Sequence, residues 1–219
     1  DAAEEHAMLS PGQEGFRPLR HTTRQIRMVT SALEDACLSS RDIGVTYVDF
    51  SSAFNTVPHD GLLAVMRDMG FPADAVSAVG AVYRGAVTRF ATPHGETADI
   101  PIRRGTIQGD CLSPLLWNIF MDPLLRWLEA GGRGYRYTTS DTDVSAAAYA
   151  DDLALLTGTR ADARAQMAKV CRYAEWAGLS VNLSKCAHTA LQAGASAHPQ
   201  EPLPFGPSPT GPKGKAGIP

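Results

Sequence analysis

Apolar positions along this chain change period several times, and each change marks an element. From Thr22 onward, Ile26, Val29, Leu33 and Ala36-Cys37 recur at helical spacing and predict one amphipathic helix. Residues 44–50 then read as a buried, β-branched strand. Leu62, Val65, Met66 and Met69 return to i, i+3, i+4, i+7 spacing, with Gly70 and Pro72 as the stop. A further helix is expected over 73–84. Val87–Thr92 and Ala98–Arg103 predict paired strands around the Pro93-His94-Gly95 turn. Ser113-Pro114 is a helix start: Ser caps, and Pro sits in the first turn, where its missing N–H costs nothing. Leu116, Ile119 and Phe120 face the core of that helix, and Pro123 is expected to end or kink it near Asp122. Thr159 and Asp162 form a capping pair for a helix bearing Met167, Val170, Cys171 and Ala174, which Gly178 ends.

Between these helices lies the most informative stretch. Val144 to Ala150 and Leu153 to Gly158 each read as a short buried strand, and Asp151-Asp152 sits where the chain turns between them. Taken alone, an Asp-Asp pair reads as a solvated turn. A third carboxylate changes the weighing. Asp49 ends the apolar run Gly44-Val45-Thr46-Tyr47-Val48, followed by small residues and an aromatic, Phe54, five positions on. Burying like charges is expensive unless a cation or a partner offsets them, and Mg²⁺ takes carboxylate oxygens together with substrate phosphates. Two such ions about 3.5–4 Å apart serve phosphoryl transfer by activating one oxygen and stabilising the departing one.

These segments resemble the successive palm motifs of reverse transcriptases, in particular those of non-LTR (LINE-type) retrotransposons. The resemblance rests on Gln13-Glu14-Gly15-Phe16-Arg17, Val48-Asp49-Phe50-Ser51-Ser52-Ala53-Phe54 with Asn55-Thr56-Val57-Pro58-His59 after it, and Arg104 to Pro114. Tyr149-Ala150-Asp151-Asp152 and Gly178 to Cys186 complete the set, all in the family's order over residues 13–191. It implies an α/β (α+β) right-hand polymerase palm with partial fingers: an antiparallel sheet backed by helices. It further implies RNA-directed DNA synthesis that extends a DNA primer on an RNA template with deoxynucleoside triphosphates. By the same resemblance Asp49 and Asp151 ligate two Mg²⁺ ions (Mn²⁺ as a substitute), with the Phe50 carbonyl a further ligand and Asp152 beside them. Phe54 would exclude a ribose 2′-OH, Gln108-Gly109 would lie along nucleotide and template, and Arg17 would grip triphosphate oxygens. Lys185 would donate a proton to pyrophosphate.

Alternatives stay open at this level. A truncated or decayed palm that no longer polymerises would keep a nucleic-acid-binding role at most. An RNA-templated RNA polymerase would share the carboxylates without wanting a bulky Phe54, and a metal-dependent nuclease would not require the Gln-Gly or Ala-Phe spacing.

With 219 residues, 44% of them hydrophobic, one large domain is the natural reading. The net charge of −3 is low for a polyanion binder, although 16 of the 20 cations are Arg, the better phosphate fork. Arg17, Arg20, Arg24 and Arg27 cluster with His21 near the start. Cys37, Cys111, Cys171 and Cys186 show no CxxC pairing, which indicates neither a zinc ribbon nor a disulfide framework. Residues 1–12 are expected as a flexible lead-in. Residues 192–219 are expected as a disordered tail, since 7 of the 15 prolines fall after position 198 with no apolar period among them. The chain starts at Asp1 and reads as part of a longer polyprotein, with thumb and endonuclease segments elsewhere. No secretory or membrane-length apolar run occurs, so no membrane partner is expected, and the setting is expected to be intracellular, nuclear or cytoplasmic.

Overall fold

The computed structural model describes residues 8–193 apart from Gln108. Helix α1 (Thr22–Leu38) leads into strand β1 (Ile43–Val48), and after Asp49 the chain continues as β2 (Phe50–Ser51) and the single turn α2 (Ala53–Thr56). Helices α3 (His59–Asp68) and α4 (Ala73–Arg84) follow, divided by Gly70 at φ +80°, a left-handed value that glycine adopts without a steric penalty. Four two-residue strands come next: β3 (Val87–Thr88), β4 (Ala91–Thr92), β5 (Gly95–Glu96) and β6 (Ile100–Pro101). Helix α5 (Ser113–Glu129) precedes β7 (Tyr135–Arg136), β8 (Asp143–Val144), β9 (Ala146–Tyr149) and β10 (Asp152–Thr157). Helix α6 (Arg160–Ala177), β11 (Ser180–Val181) and β12 (Ala187–Leu191) complete the described chain.

The central sheet has the order β12-β1-β10-β9 and is antiparallel throughout. Both of its faces are covered, which is why β1 and β10 read as continuous apolar runs rather than as alternations. Val48, Leu153 and Leu155 pack into the main core with Leu62, Trp117 and Val170 of α3, α5 and α6. On the other face Ile43, Val45 and Leu156 meet Ala32 and Ala36 of α1. Small alanines at that contact let helix and sheet approach closely. Two helical layers against one antiparallel sheet give the mixed α/β palm architecture expected from the sequence.

Several local expectations need correction. Helix α5 runs through Pro123 to Glu129 without stopping. Leu124, Leu125 and Leu128 beyond the proline are at most 1% exposed, so burial outweighs the one backbone bond that Pro123 cannot donate. Ser113 is the first residue of α5 and not its cap: its hydroxyl donates to the Ile107 carbonyl at 2.7 Å, while Asp110 Oδ1 accepts the Leu112 N–H at 3.1 Å. The long ribbon expected over 87–103 is instead two short ladders, β3 with β6 and β4 with β5. The strand expected over 44–50 breaks at Asp49.

Residues 8–12 are not a loose lead-in either. Leu9 is in the core, the Ser10 N–H donates to Asp122 Oδ1 at 2.5 Å, and the Ser10 hydroxyl donates to Glu129 Oε1 at 2.6 Å. The expected tail lies outside the described residues from 194 onward. The Thr159–Asp162 cap is present as read, the Asp162 N–H donating to Thr159 Oγ1 at 3.1 Å, and Gly178 closes α6 at φ +64°.

Candidate active site

The β9–β10 pairing sets Tyr149 opposite Asp152, so Ala150 and Asp151 alone form the turn. In the adjoining ladder Val48 pairs with Leu153. Continuing that register by one step brings Asp49 beside Asp152, at the same end of the sheet. Thus Asp49 converges on the Asp151-Asp152 pair, about a hundred residues away in sequence, because two antiparallel pairings share the central strand β10.

Asp151 closes the turn and Asp152 opens β10, and the two adjacent carboxylates border different clefts. Asp151 lines a cleft of about 570 Å³ together with Asp49, Phe50, Phe54, Gly109 and Lys185. Asp152 lines a neighbouring cleft of about 630 Å³ on the α1 side, which Asp49 and Lys185 also border. Asp49 and Lys185 therefore stand between the two. Asp152 is exposed at the strand end, yet partial desolvation of its carboxyl raises its pKa above the ordinary aspartate value, and the negative charges of Asp151 and Asp49 push it the same way.

Asp49 is held from the Asn182–Cys186 turn. The Asn182 N–H donates to the Asp49 carbonyl at 2.8 Å, and the Asp49 N–H points at Cys186 Sγ at 3.4 Å. Lys185 Nζ lies 3.8 Å from Asp49 Oδ1. Cys186 is buried against Asp49, and two residues on His188 Nδ1 shares a hydrogen bond with Thr46 Oγ1 at 2.8 Å.

Phe54 has a double environment. Its ring packs 4.9 Å from Trp117 and meets the Phe16 edge at 6.1 Å, yet it also borders the Asp49/Asp151 cleft. Gly109 borders that cleft at φ +89°, a conformation that favours glycine on its own account. Gln108 lies outside the described residues.

Arg17 is a correction. It is 7% exposed, and its Nη1 donates to the Ser10 and Gln13 carbonyls at 2.7 and 2.9 Å. It braces the 10–17 loop and does not border the carboxylate cleft. Its neighbours are also engaged: Arg20 lies 2.9 Å and Arg24 3.5 Å from Glu14 Oε1, which offsets one charge of the basic cluster read from the sequence.

Sequence reasoning missed three residues at the site. Asp110 borders the cleft, and Gln13 and Trp117 both hydrogen-bond the Ala150 carbonyl, at 3.0 and 2.9 Å. Gln13 had been noticed only as part of a family-like opening; nothing in the sequence says that it meets a turn 137 residues away.

For metal binding, the carboxylates offer hard oxygen donors, and Asp49, Asp151 and Phe50 border one cleft. Among the described residues, no group of three or more His, Cys, Asp or Glu closes into a metal-holding cluster. No helix among the described residues is long and apolar enough to cross a membrane.

The fold is a mixed α/β palm with three carboxylates at one end of its sheet, and comparison with known proteins gives the family. The family profile for reverse transcriptase (RNA-dependent DNA polymerase) matches residues 2–205, so the chain belongs to that family. It is 31% identical over 178 residues to the retrovirus-related Pol polyprotein from type-2 retrotransposable element R2DM of Drosophila melanogaster, covering 80% of this chain and 16% of that protein. The R2 polyprotein of Popillia japonica is also 31% identical, over 76% of this chain and 27% of its own length. The chain therefore spans only about a sixth to a quarter of these curated relatives. Among solved structures, telomerase from Candida tropicalis in complex with the TWJ fragment of telomeric RNA superposes with a TM-score of 0.65. The identity is 11%, over 84% of this chain and 31% of that one, a likeness of fold.

Proposed function

We propose that this chain carries the palm of an RNA-directed DNA polymerase that extends a DNA primer along an RNA template, as part of a retrotransposon polyprotein. The observation that supports it most is that Asp49 and Asp151, from adjacent antiparallel strands, border one cleft with Phe54, Gly109 and Lys185. Asp49, Asp151 and the Phe50 carbonyl would hold two Mg²⁺ ions, with Mn²⁺ as a substitute. When bound, these supply a lowered pKa for the primer 3′-OH and a counter-charge for the departing pyrophosphate.

The chain's own residues do the rest. Asp49 and Asp151 concentrate negative charge at one wall of the cleft, and Asp152 adds to it from the neighbouring cleft. The Phe54 ring, backed by Trp117, fills the wall where a ribose 2′-oxygen would sit and so selects deoxynucleotides. Gly109 leaves an open stretch of backbone beside which nucleotide and template can lie. Lys185 stands by Asp49 with its ammonium free to move toward a phosphate oxygen as negative charge develops there. An intracellular setting goes with this reading.

The sequence also offers a second reading, a truncated or decayed palm. In that reading the palm binds nucleic acid without polymerising. Primer extension in Mg²⁺ on an RNA template separates the two. Extension by the wild-type chain that is abolished in Asp151→Asn, with primer–template affinity much less changed, supports the polymerase, because phosphate contacts elsewhere supply most affinity. Full-rate extension by Asp151→Asn removes Asp151 from the chemistry, and binding without extension by the wild type favours the second reading.

A further inference from the structure

Ala150 adopts φ +57°, in the left-handed region that a residue with a Cβ enters only when its surroundings hold it there. It has no side chain with which to stabilise that conformation locally. Its peptide groups are held from outside, mostly by one residue. Gln13 Nε2 donates to the Ala150 carbonyl at 3.0 Å, and the Ala150 N–H donates to Gln13 Oε1 at 2.9 Å. The same Oε1 accepts the Gly15 N–H at 2.8 Å, and Trp117 Nε1 adds a second donor to the Ala150 carbonyl at 2.9 Å. Gln13 is 2% exposed, so these bonds face little competition from water.

The segment around Gln13 is itself locked to the hairpin. The Ala148 N–H donates to the Gly12 carbonyl and the Glu14 N–H to the Ala148 carbonyl, both at 2.9 Å. A Cβ on Gly15 would lie 2.2 Å from the Ala150 nitrogen, so only glycine lets the segment come this close. Residues 12–15 thus form a saddle on which the turn rests.

We infer that Gln13 is a positioning residue: its side-chain amide clamps the Ala150 peptide in the left-handed conformation that aims Asp151 into the cleft shared with Asp49. The chemistry of glutamine is required on both counts. Glutamate could accept from Ala150 but would set a carboxylate against its carbonyl, and asparagine is one methylene short. This inference rests on the proposed role of Asp151 in nucleotide transfer, but the clamp can be read without any turnover.

Two measurements on the full chain test it. In amide hydrogen exchange, Gln13→Ala should lower protection of the Ala150 amide by about tenfold or more, as expected for a lost buried hydrogen bond, and the near-isosteric Gln13→Glu should lower it as well, since a carboxylate set against the Ala150 carbonyl opens the turn. The Leu156 amide, bonded to the Ser145 carbonyl on the same hairpin, should keep its protection, showing that the sheet survives. In primer extension, Gln13→Glu should lower kcat about tenfold or more with KM for the deoxynucleotide little changed, since the reacting geometry and not nucleotide binding is disturbed. Adding Ala150→Gly should restore part of that kcat, because glycine holds a positive φ without help.

Unchanged Ala150 protection in both variants overturns the clamp. Lost protection with undiminished kcat overturns its positioning role. Loss of Leu156 protection together with Ala150 in both variants also overturns the proposal, since Gln13 would then support the whole hairpin. A wild-type chain that does not polymerise but shows the exchange pattern leaves the clamp standing and removes the polymerase reading on which the positioning role depends.

Discussion

Lys185 Nζ stands 3.8 Å from Asp49 Oδ1, which makes it the nearest counter-charge to a carboxylate set that otherwise repels itself. The ammonium is largely exposed, so the pair is worth little in stability by itself. Its interest is competition, because a divalent cation arriving at Asp49 must displace it or share the oxygen with it. Replacing Lys185 by Met should lower the melting temperature of the metal-free chain by no more than about 2–4 °C, the equivalent of roughly 1 kcal/mol at this size. The stabilisation gained on adding Mg²⁺ should be larger in the mutant than in the wild type. Melting curves with and without Mg²⁺ measure both, and a smaller Mg²⁺ effect in the mutant would show that Lys185 assists rather than competes.

The raised carboxyl of Asp152 makes a pH prediction with a definite sign. Partial desolvation and the Asp151 and Asp49 charges favour its protonated form in the fold, so the stability tied to that proton is present at low pH. It is lost as pH rises through the folded-state value. Asp152→Asn should therefore melt higher than wild type at pH 7 without divalent cation. The difference should close as pH falls below the ordinary aspartate value of about 3.9. A mutant that melts lower at pH 7 would mean that the ionised Asp152 is stabilised by something other than these neighbours.

Phe54 divides its ring between the Trp117 contact and the cleft, so its truncation should show in two places. Phe54→Val should cost about 1–3 kcal/mol in stability, below the 3–5 kcal/mol of a fully buried aromatic cut to alanine, because the ring is half-exposed. Ribonucleotide incorporation should rise by orders of magnitude relative to deoxynucleotide. Single-nucleotide incorporation of both types, beside a denaturation curve, reads the two effects separately. Unaltered sugar selectivity in a folded mutant would reduce Phe54 to a packing residue and reopen the RNA-polymerase reading.

Arg17 carries the opposite expectation. Its guanidinium serves the Ser10 and Gln13 carbonyls, so Arg17→Ala should destabilise the chain by about 2–3 kcal/mol through lost charge-assisted bonds and unpaired carbonyls. That corresponds to a melting temperature lower by about 5–10 °C. At a temperature where the mutant is folded, KM for the deoxynucleotide should stay near that of wild type. A large KM increase there would return Arg17 to the triphosphate-gripping role implied by its motif.

Much of the fold was legible in local pattern. The helices at 22–38, 59–68 and 160–177 follow from apolar spacing together with stops at Gly70 and Gly178 and the Thr159 cap, because those signals act within a turn or two. The carboxylates too could be found in sequence, since a charge at the end of a buried strand needs a reason wherever it occurs.

What sequence alone could not decide is where competing local preferences are settled by burial, and which distant residues meet. Pro123 carries a strong stop signal, and α5 overrides it because the leucines beyond it are buried. Arg17 belongs to a segment that looks like a phosphate grip and instead braces a loop, since its partners are backbone carbonyls that have no sequence signature. The placing of Asp151 and Asp152 at different clefts, and their joining to Asp49, follow from the turn and the pairing register around β10. Gln13 against Ala150 is the clearest case: a long-range bond between a side-chain amide and a peptide group leaves no trace in either local sequence, and only the folded chain brings the two together.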